Sequence, residues 1–373
     1  MNRIYMDNAA TTRLHPEVLA AMTPYLTGAF GNPSSQHWFG REANRALSRA
    51  REQVAGALCA WPEEIFFTSG GTEADNWAIC SGARALPGRN RLITTQIEHH
   101  AVLHPMQRLA REGFEVIFLP VDAEGFVSPE ELENALNERT ALVSVMAANN
   151  EVGSIQPIRE LARRTHAAGA LFHTDAVQAA GCLPIDLSSG EIDLLSLSAH
   201  KFHGPKGAGA LYVRQGLPLE PLICGGAQER GLRGGTENLA GIVGLGEAIA
   251  RAHARLPESG ARVAALLSRL EEGIGSLPGA HVNTPGHDRL PGILNVRFEG
   301  RENSALLFRL DLRGLALSAG SACTAGSTEP SHVLRAMGLT DREAGESVRF
   351  SLSDDNTEVE VDAALELLRE ALR

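Results

Sequence analysis

The chain has 373 residues, of which 43% are apolar, 21% are charged and 5% are aromatic, and its formal net charge is -11. A chain of this size buries a large core and exceeds the usual limit of a single core, so we expect a globular protein of two domains. The acidic charge argues against nucleic acid or an anionic membrane as the main partner and favours small-molecule chemistry.

The cysteines and the apolar stretches indicate a soluble protein of a reducing compartment. The cysteines lie singly, without the spacing of a disulfide framework or a metal clip, at Cys59, Cys80, Cys182, Cys224 and Cys323. No basic segment followed by an apolar one opens the sequence, and charges interrupt each apolar stretch before it could span a bilayer. We therefore expect a cytoplasmic location and no metal ion of the protein's own.

Strand-like runs alternate with helical patterns through the first two thirds of the chain. The predicted strands are "EIFFTS", "NRLITTQ", "EVIFLPV", "TALVSVMAA", "ALFHTDA", "IDLLSLSAH" and "GALYVRQ", and the helical segments between them include "AVLHPMQRLAREG" and "PIRELARRTHAAG". Such alternation predicts an α/β fold with a mainly parallel sheet that helices cover on both faces.

The pattern changes after residue 253. A long helical stretch continues through "ARVAALLSRLEEGIGSL", and the strand-like "GILNVRFEG" and "SVRFSLS" follow with the helices "NSALLFRLD" and "DAALELLREALR". We predict a large domain over residues 15–252 and a smaller α+β domain formed by residues 1–14 and 253–373.

Ligands of open α/β sheets collect beyond the carboxyl ends of the strands, and three polar groups follow predicted strands there. Ser69 to Thr72 precede a helix that we expect to begin around Glu73, which makes either a phosphate cup or a simple capped turn. The cup is not a Walker loop, because the sequence lacks its GK[ST] ending. Asp175, with Gln178 three residues later, is either a helix cap or the negative partner of a protonated ring nitrogen.

Lys201 follows a third predicted strand, which is apolar. Burying a lysine there costs free energy unless its charge is paired, it is exposed to solvent or it takes part in the chemistry of the protein. Lys206, in a Gly-Pro-Lys-Gly turn, is its rival, but a turn lysine is usually solvated. A phosphate cup, an acid for a pyridinium and a lysine for a Schiff base are together what pyridoxal phosphate requires.

The polar residues at two further strand ends are each compatible with more than one role. His99 and His100 are compatible with helix capping, with stacking on a cofactor ring or with proton transfer. Asn149 and Asn150 suit a turn or a hydrogen bond to a cofactor or substrate. Cys323, taken alone, is compatible with a small buried core residue as well as with a reactive thiol.

The sequence resembles the cysteine desulfurases of the NifS/IscS type, within the class V, fold type I pyridoxal-phosphate enzymes. The likeness covers nearly the whole chain and is carried by "YMDNAATT", "GNPSSQHWFGR", "FTSGGTEADN", "EHHAVL", "NNEVGSIQP", "HTDAVQ", "SLSAHKFHGPKGAGALYVR", "LRGGTEN", "SAGSACTAGSTEPSHVLRAMG" and "SVRFSLS". The segment around Cys323 is similar to the branch of the family with a long catalytic loop.

The resemblance implies a role for each candidate residue. Lys201 would bind the cofactor aldehyde, His99 would lie against its ring and Cys323 would accept the sulfur. The cofactor would also be held by Gly71, Thr72, Asn150, Asp175, Gln178, Ser198, Ala199, His200 and, from the second subunit of a homodimer, Thr236. Arg349 would bind the carboxylate of the substrate, and Asn32 would border the pocket.

The activity implied is the removal of sulfur from L-cysteine, which gives L-alanine and a persulfide on Cys323. Small residues around Cys323 predict a mobile segment over residues 320–330 that delivers sulfur to an acceptor protein, such as an iron–sulfur scaffold or a thiolation carrier. Cys323 would then contact an iron–sulfur cluster only transiently, together with the scaffold. The alternatives are a selenocysteine lyase, a class V aminotransferase or a non-enzymatic metal- or sulfur-trafficking scaffold.

Overall fold

The structure is a computed structural model that describes residues 3–284, 286–320 and 330–373. In chain order, its strands are β1 (Ile4–Tyr5), β2 (Ile65–Thr68), β3 (Arg91–Thr95), β4 (Glu115–Leu119), β5 (Thr140–Ser144), β6 (Leu171–Asp175), β7 (Leu194–Ser198), β8 (Gly209–Val213), β9 (Ala280–Val282), β10 (Ile293–Phe298), β11 (Leu315–Ala316) and β12 (Ser347–Ser351). Its helices are α1 (Pro16–Thr27), α2 (Trp38–Leu58), α3 (Gly71–Gly82), α4 (His100–Arg111), α5 (Pro129–Ala135), α6 (Ile158–Ala167), α7 (Leu239–Gly275), α8 (Asn303–Asp311), α9 (His332–Ala336), α10 (Asp341–Gly345) and α11 (Glu358–Leu372).

Seven strands form the main sheet, in the order β2-β8-β7-β6-β5-β3-β4. β8 runs antiparallel to both of its neighbours, and every other adjacent pair is parallel. The predicted α/β fold with a mainly parallel mixed sheet is therefore confirmed, and each run predicted as a strand of this sheet contains one.

Two apolar layers cover the sheet, because successive side chains of a strand point to opposite faces. On β2, Ile65 and Phe67 pack in a core shared with α1, α2 and the first half of α7, whereas Phe66 packs in a core shared with α3 and α4. Leu195 and Leu194 on β7 divide between the two cores in the same way. The near-continuous apolar strands of the sequence follow from this double burial.

A further core lies among the later elements of the chain. β9, β10 and β12 form a three-stranded antiparallel sheet, and β1 pairs in parallel with β11. The buried residues of α7 change from the core of the main sheet to this core between Ile249 and Val263. The predicted domain limits, 15–252 against 1–14 with 253–373, stay a prediction.

One predicted boundary is wrong by two residues. α3 begins at Gly71 rather than around Glu73, because Gly70, with a φ of 156°, already redirects the backbone into the helix. Glu73 lies inside the first turn, where its carboxylate accepts a hydrogen bond from the Ser69 N–H at 2.8 Å and pairs with Arg233. Among the described residues, no helix is both long and apolar enough to cross a bilayer.

Candidate active site

The candidate residues meet at one edge of the main sheet. β2, β3, β5, β6 and β7 are mutually parallel, so the segments that follow them leave the sheet on the same side. These segments, together with Arg349 of β12, line a cavity of about 160 Å³, whose walls include Gly71, Thr72, His99, Asn150, Asp175, Gln178, Ser198, His200, Lys201 and Arg349. Residues that are up to 278 positions apart in the sequence therefore share one site.

Lys201 supplies the amine of this cavity. The chain contains only two lysines, Lys201 and Lys206. Lys201 is half-buried at the end of a single 3₁₀ turn after β7, and its Nζ donates to the carbonyl oxygens of Ala9 at 2.5 Å and Ala10 at 3.0 Å. Lys206 is exposed and does not line the cavity. Of the two amines, only that of Lys201 can react with a group bound there.

Asp175 and His99 place an acid and an imidazole in the same cavity. Asp175 ends β6, is 6% exposed and accepts a hydrogen bond from the Val177 N–H at 2.8 Å. Burial raises the pKa of Asp175, whereas His99 and Lys201 lower it. His99 caps α4, and its Nδ1 accepts a hydrogen bond from the Ala101 N–H at 3.1 Å. A neutral His99 ring therefore carries its proton on Nε2.

The N-terminus of α3 forms a small cup in the cavity wall. First-turn N–H groups of a helix have no acceptor within the helix and suit an anion. Gly71, the first residue of α3, packs tightly against Val177, since a Cβ at position 71 would lie 2.7 Å from Cγ2 of Val177. The hydroxyl-bearing Thr72 and Ser198 also line the cavity. Burial and the charges of Lys201 and Lys206 lower the pKa of His200 to about 4, so its ring is neutral at pH 7.

Arg349 places a guanidinium in the wall of the same cavity. Its side chain is 1% exposed, and it donates to the Asn150 carbonyl oxygen at 2.7 Å and to the Asp7 carboxylate at 2.8 Å. Its Nε is buried without a hydrogen-bond partner among the described residues. A planar guanidinium with donor capacity to spare suits a carboxylate ligand.

Comparison with known proteins identifies the family of this chain. A family model described as aminotransferase class-V matches residues 4–364. The chain belongs to the class V aminotransferase family. It is 50% identical over 378 aligned positions to the cysteine desulfurase IscS of Clostridium botulinum (strain Hall), with coverage of 100% of this chain and 95% of the relative. It is also 50% identical over 371 positions to the cysteine desulfurase IscS of Methanosarcina thermophila, with 99% and 92% coverage.

Solved structures of similar proteins have the same fold as this class V chain. A structure named as a NifS-like protein superposes with a TM-score of 0.94 at 45% identity, covering 99% of this chain and 98% of the other. The structure of SspA in complex with cysteine superposes with a TM-score of 0.83 at 38% identity, covering 94% and 99%. The resemblance to NifS/IscS-type proteins and the predicted fold type are confirmed.

Three described candidate residues do not line the cavity of this class V fold, and a fourth candidate cannot be placed relative to it. Ala199 is fully buried, and its Cβ faces Gly204. Asn32 is exposed, and its Oδ1 accepts a hydrogen bond from the Ser34 N–H at 2.9 Å. Thr236 is exposed in the loop before α7. Cys323 lies outside the described residues, as does most of the segment 320–330. The roles of these four residues stay predictions.

Sequence reasoning missed two buried carboxyl groups, Asp75 in the cavity wall and Glu98, the residue before His99. Asp75 lines the cavity one helical turn after Gly71, and its Oδ1 has no hydrogen-bond partner among the described residues. Burial and the neighbouring Asp175 raise the pKa of Asp75 well above its usual value. Glu98 is fully buried, and burial raises its pKa to about 8. The four-residue spacing from Gly71 to Asp75 was the one available signal, since it places both on one helix face.

Proposed function

We propose that this class V protein is a cysteine desulfurase that takes sulfur from L-cysteine, releases L-alanine and holds the sulfur as a persulfide on Cys323. The observation that carries the proposal is the single cavity that brings the amine of Lys201 together with Asp175, His99 and the buried guanidinium of Arg349. The cysteine desulfurases that share about half of the sequence support the same reaction.

The residues present fit pyridoxal phosphate. The N-terminus of α3 lies in the cavity wall with the hydroxyls of Thr72 and Ser198 and suits a phosphate, and the buried Asp175 offers a carboxylate for a protonated ring nitrogen. His99 would lie against the ring, and Lys201 would carry the cofactor covalently. Thr72, Asn150, Gln178, Ser198 and His200 would complete the binding site. When bound, the cofactor supplies an electron sink that makes the Cα proton of an amino acid removable.

Arg349 would bind and orient the substrate in this reaction. Its Nε has no partner among the described residues, and its link to Asp7 can be exchanged for a link to the substrate carboxylate. This fixes one end of L-cysteine. Lys201 and His99 line the same cavity as Arg349, and we assign to them the movement of the Cα proton.

Cys323 would complete the sulfur transfer. Its thiolate attacks the substrate sulfur, a new S–S bond forms and the C–S bond of the substrate breaks. The electron pair of the broken bond stays with the carbon part, which takes up protons and leaves as L-alanine. The persulfide on Cys323 then passes to an acceptor protein, for which we keep an iron–sulfur scaffold or a thiolation carrier as the candidates.

A homodimer would complete the phosphate site. Thr236 is exposed and lies outside the cavity of its own chain, as expected for a residue that serves a second subunit. Exposed apolar side chains in the preceding loop, Leu222 and Ile223, support a contact surface there. The cytoplasmic location stays a prediction.

The proposed function is tested by incubating the purified, cofactor-loaded protein with L-cysteine under anaerobic conditions. We expect L-alanine and a persulfide on Cys323 in equal amounts in the first turnover, as measured by amino-acid analysis and peptide mass spectrometry. Cys323→Ala should keep the cofactor absorbance and lose both products. Alanine production by Cys323→Ala at the wild-type rate would refute the role of this residue, and amino transfer to 2-oxo acids would favour an aminotransferase.

A further inference from the structure

A single buried carboxylate lies between the two ends of the segment that carries Cys323. Glu151 is 2% exposed and belongs to the turn that follows β5. On one side, the Ser331 hydroxyl donates a hydrogen bond to its Oε2. On the other side, Gly320 approaches so closely that a Cβ there would lie 2.8 Å from the same oxygen. Residues on both sides of the undescribed stretch 321–329 therefore contact one carboxylate.

The turn that carries Glu151 is held by residues that lie outside this segment. The backbone N–H groups of Glu151 and Val152 donate to Oδ1 of Asn149 at 2.8 and 3.0 Å. The side-chain amide of Asn149 donates to the Ile97 carbonyl at 3.0 Å, and that of Asn295 donates to the Glu151 carbonyl at 3.2 Å. The carboxylate is thus attached to the fixed part of the fold.

The same turn also contacts Arg349, to which we assign the binding of the substrate carboxylate. Arg349 donates to the carbonyl oxygen of Asn150, the residue before Glu151. The backbone of Arg349 forms a bridge with Ser318, in which the Arg349 N–H donates to the Ser318 carbonyl at 2.7 Å. Gly320, two residues after Ser318, is three residues before Cys323. Glu151 and Arg349 therefore contact the same short stretch of chain.

We propose that Glu151 is a positioning residue for sulfur transfer, which fixes Gly320 and Ser331, on either side of the segment that carries Cys323, relative to Arg349. The inference rests on the proposed function. A thiolate must approach the sulfur of a substrate that Arg349 holds at its other end, and a misplacement of about 1 Å lowers such rates by roughly 100-fold. Glu151 acts through Gly320 and Ser331, so its loss disturbs the approach of the thiol and leaves substrate binding intact.

The test compares Glu151→Ala with Glu151→Gln in the cofactor-loaded enzyme. For Glu151→Ala we expect persulfide formation on Cys323 to slow by about 10- to 100-fold, with the KM for L-cysteine and the cofactor absorbance unchanged. Glu151→Gln should recover most of the rate, because its amide oxygen still accepts from Ser331. The matched control is Glu64→Ala, which removes a buried carboxylate that accepts the Trp61 and Gln215 N–H groups, and it should form the persulfide at the wild-type rate.

Hydrogen exchange of the cofactor-free protein gives a second measurement that does not depend on activity. Glu151→Ala should exchange faster than wild type in peptides covering 314–320 and 330–336, whereas Glu64→Ala should not. Wild-type persulfide rates or unchanged exchange in Glu151→Ala would overturn the inference, as would a loss of cofactor absorbance in parallel with the rate. If the wild-type enzyme forms no persulfide, the proposed function is wrong, and the exchange data alone decide whether Glu151 holds the ends of the segment.

Discussion

Glu98 links the pH dependence of stability to the buried charge around the active site. Its carboxyl group is fully buried, and Oε1 accepts hydrogen bonds from the Thr95 hydroxyl at 2.8 Å and the Met146 N–H at 2.9 Å. Oε2 has no hydrogen-bond partner among the described residues. Burial is the main cause that raises the pKa to about 8, the hydrogen bonds from Met146 and Thr95 oppose the rise, and the charge of Asp175 adds to it. Ionisation of Glu98 in the folded protein is therefore costly.

The sign and size of the effect follow from linkage. A raised pKa means that the folded state holds a proton which the unfolded chain has already released, so stability falls as the pH rises towards the folded pKa. Between pH 6 and pH 9, Glu98 changes from mainly protonated to mainly ionised in the folded protein and is ionised throughout in the unfolded chain. From pH 6 to the folded pKa, a span of about two pH units, the free energy of unfolding falls by about 1.4 kcal/mol per unit. The total loss of stability is therefore about 3 kcal/mol.

The variant Glu98→Gln isolates this contribution. Its amide oxygen can accept both hydrogen bonds of Oε1, and it does not ionise. We expect thermal unfolding midpoints of the cofactor-free proteins to diverge between pH 6 and pH 9, with the variant the more stable by several degrees at pH 9. Asp175 titrates in both proteins, so the comparison largely cancels its effect. Parallel pH profiles for the two proteins would refute the assignment of a raised pKa to Glu98.

Three further predictions concern the roles at the cavity. Lys201→Ala should abolish the absorbance of the covalently bound cofactor, and Lys206→Ala should leave it unchanged; since the chain has only these two lysines, the opposite result would reverse the assignment. Arg349→Lys should raise the KM for L-cysteine by about tenfold or more while the cofactor absorbance persists, because lysine cannot form a two-donor contact and also reach Asp7; an unchanged KM would contradict the clamp. Asp175→Asn should lower kcat by at least about 100-fold, since a neutral amide does not stabilise a protonated ring nitrogen, and near-normal turnover in this variant would count against that pairing.

The sequence alone was sufficient for the order of the elements and for the main candidates of the site. Strands of the main sheet are buried on both faces, so they stand out as apolar runs between helical patterns. Parallel strands end at one edge, so the polar residues that follow them, such as Asp175 and Lys201, could be assigned to a common site before any contact was known. The family resemblance rested on the same local motifs.

Only the tertiary structure decided which partners these residues have. Arg349 pairs with Asp7, 342 positions away, and Ser331 donates to Glu151, 180 positions away. Burial and proximity, which raise the pKa values of Asp75 and Glu98, come from the packing of several elements around one cavity. Local sequence patterns report propensity and periodicity over a few turns, whereas these contacts and the desolvation that accompanies them arise from chain segments that meet only in the folded protein.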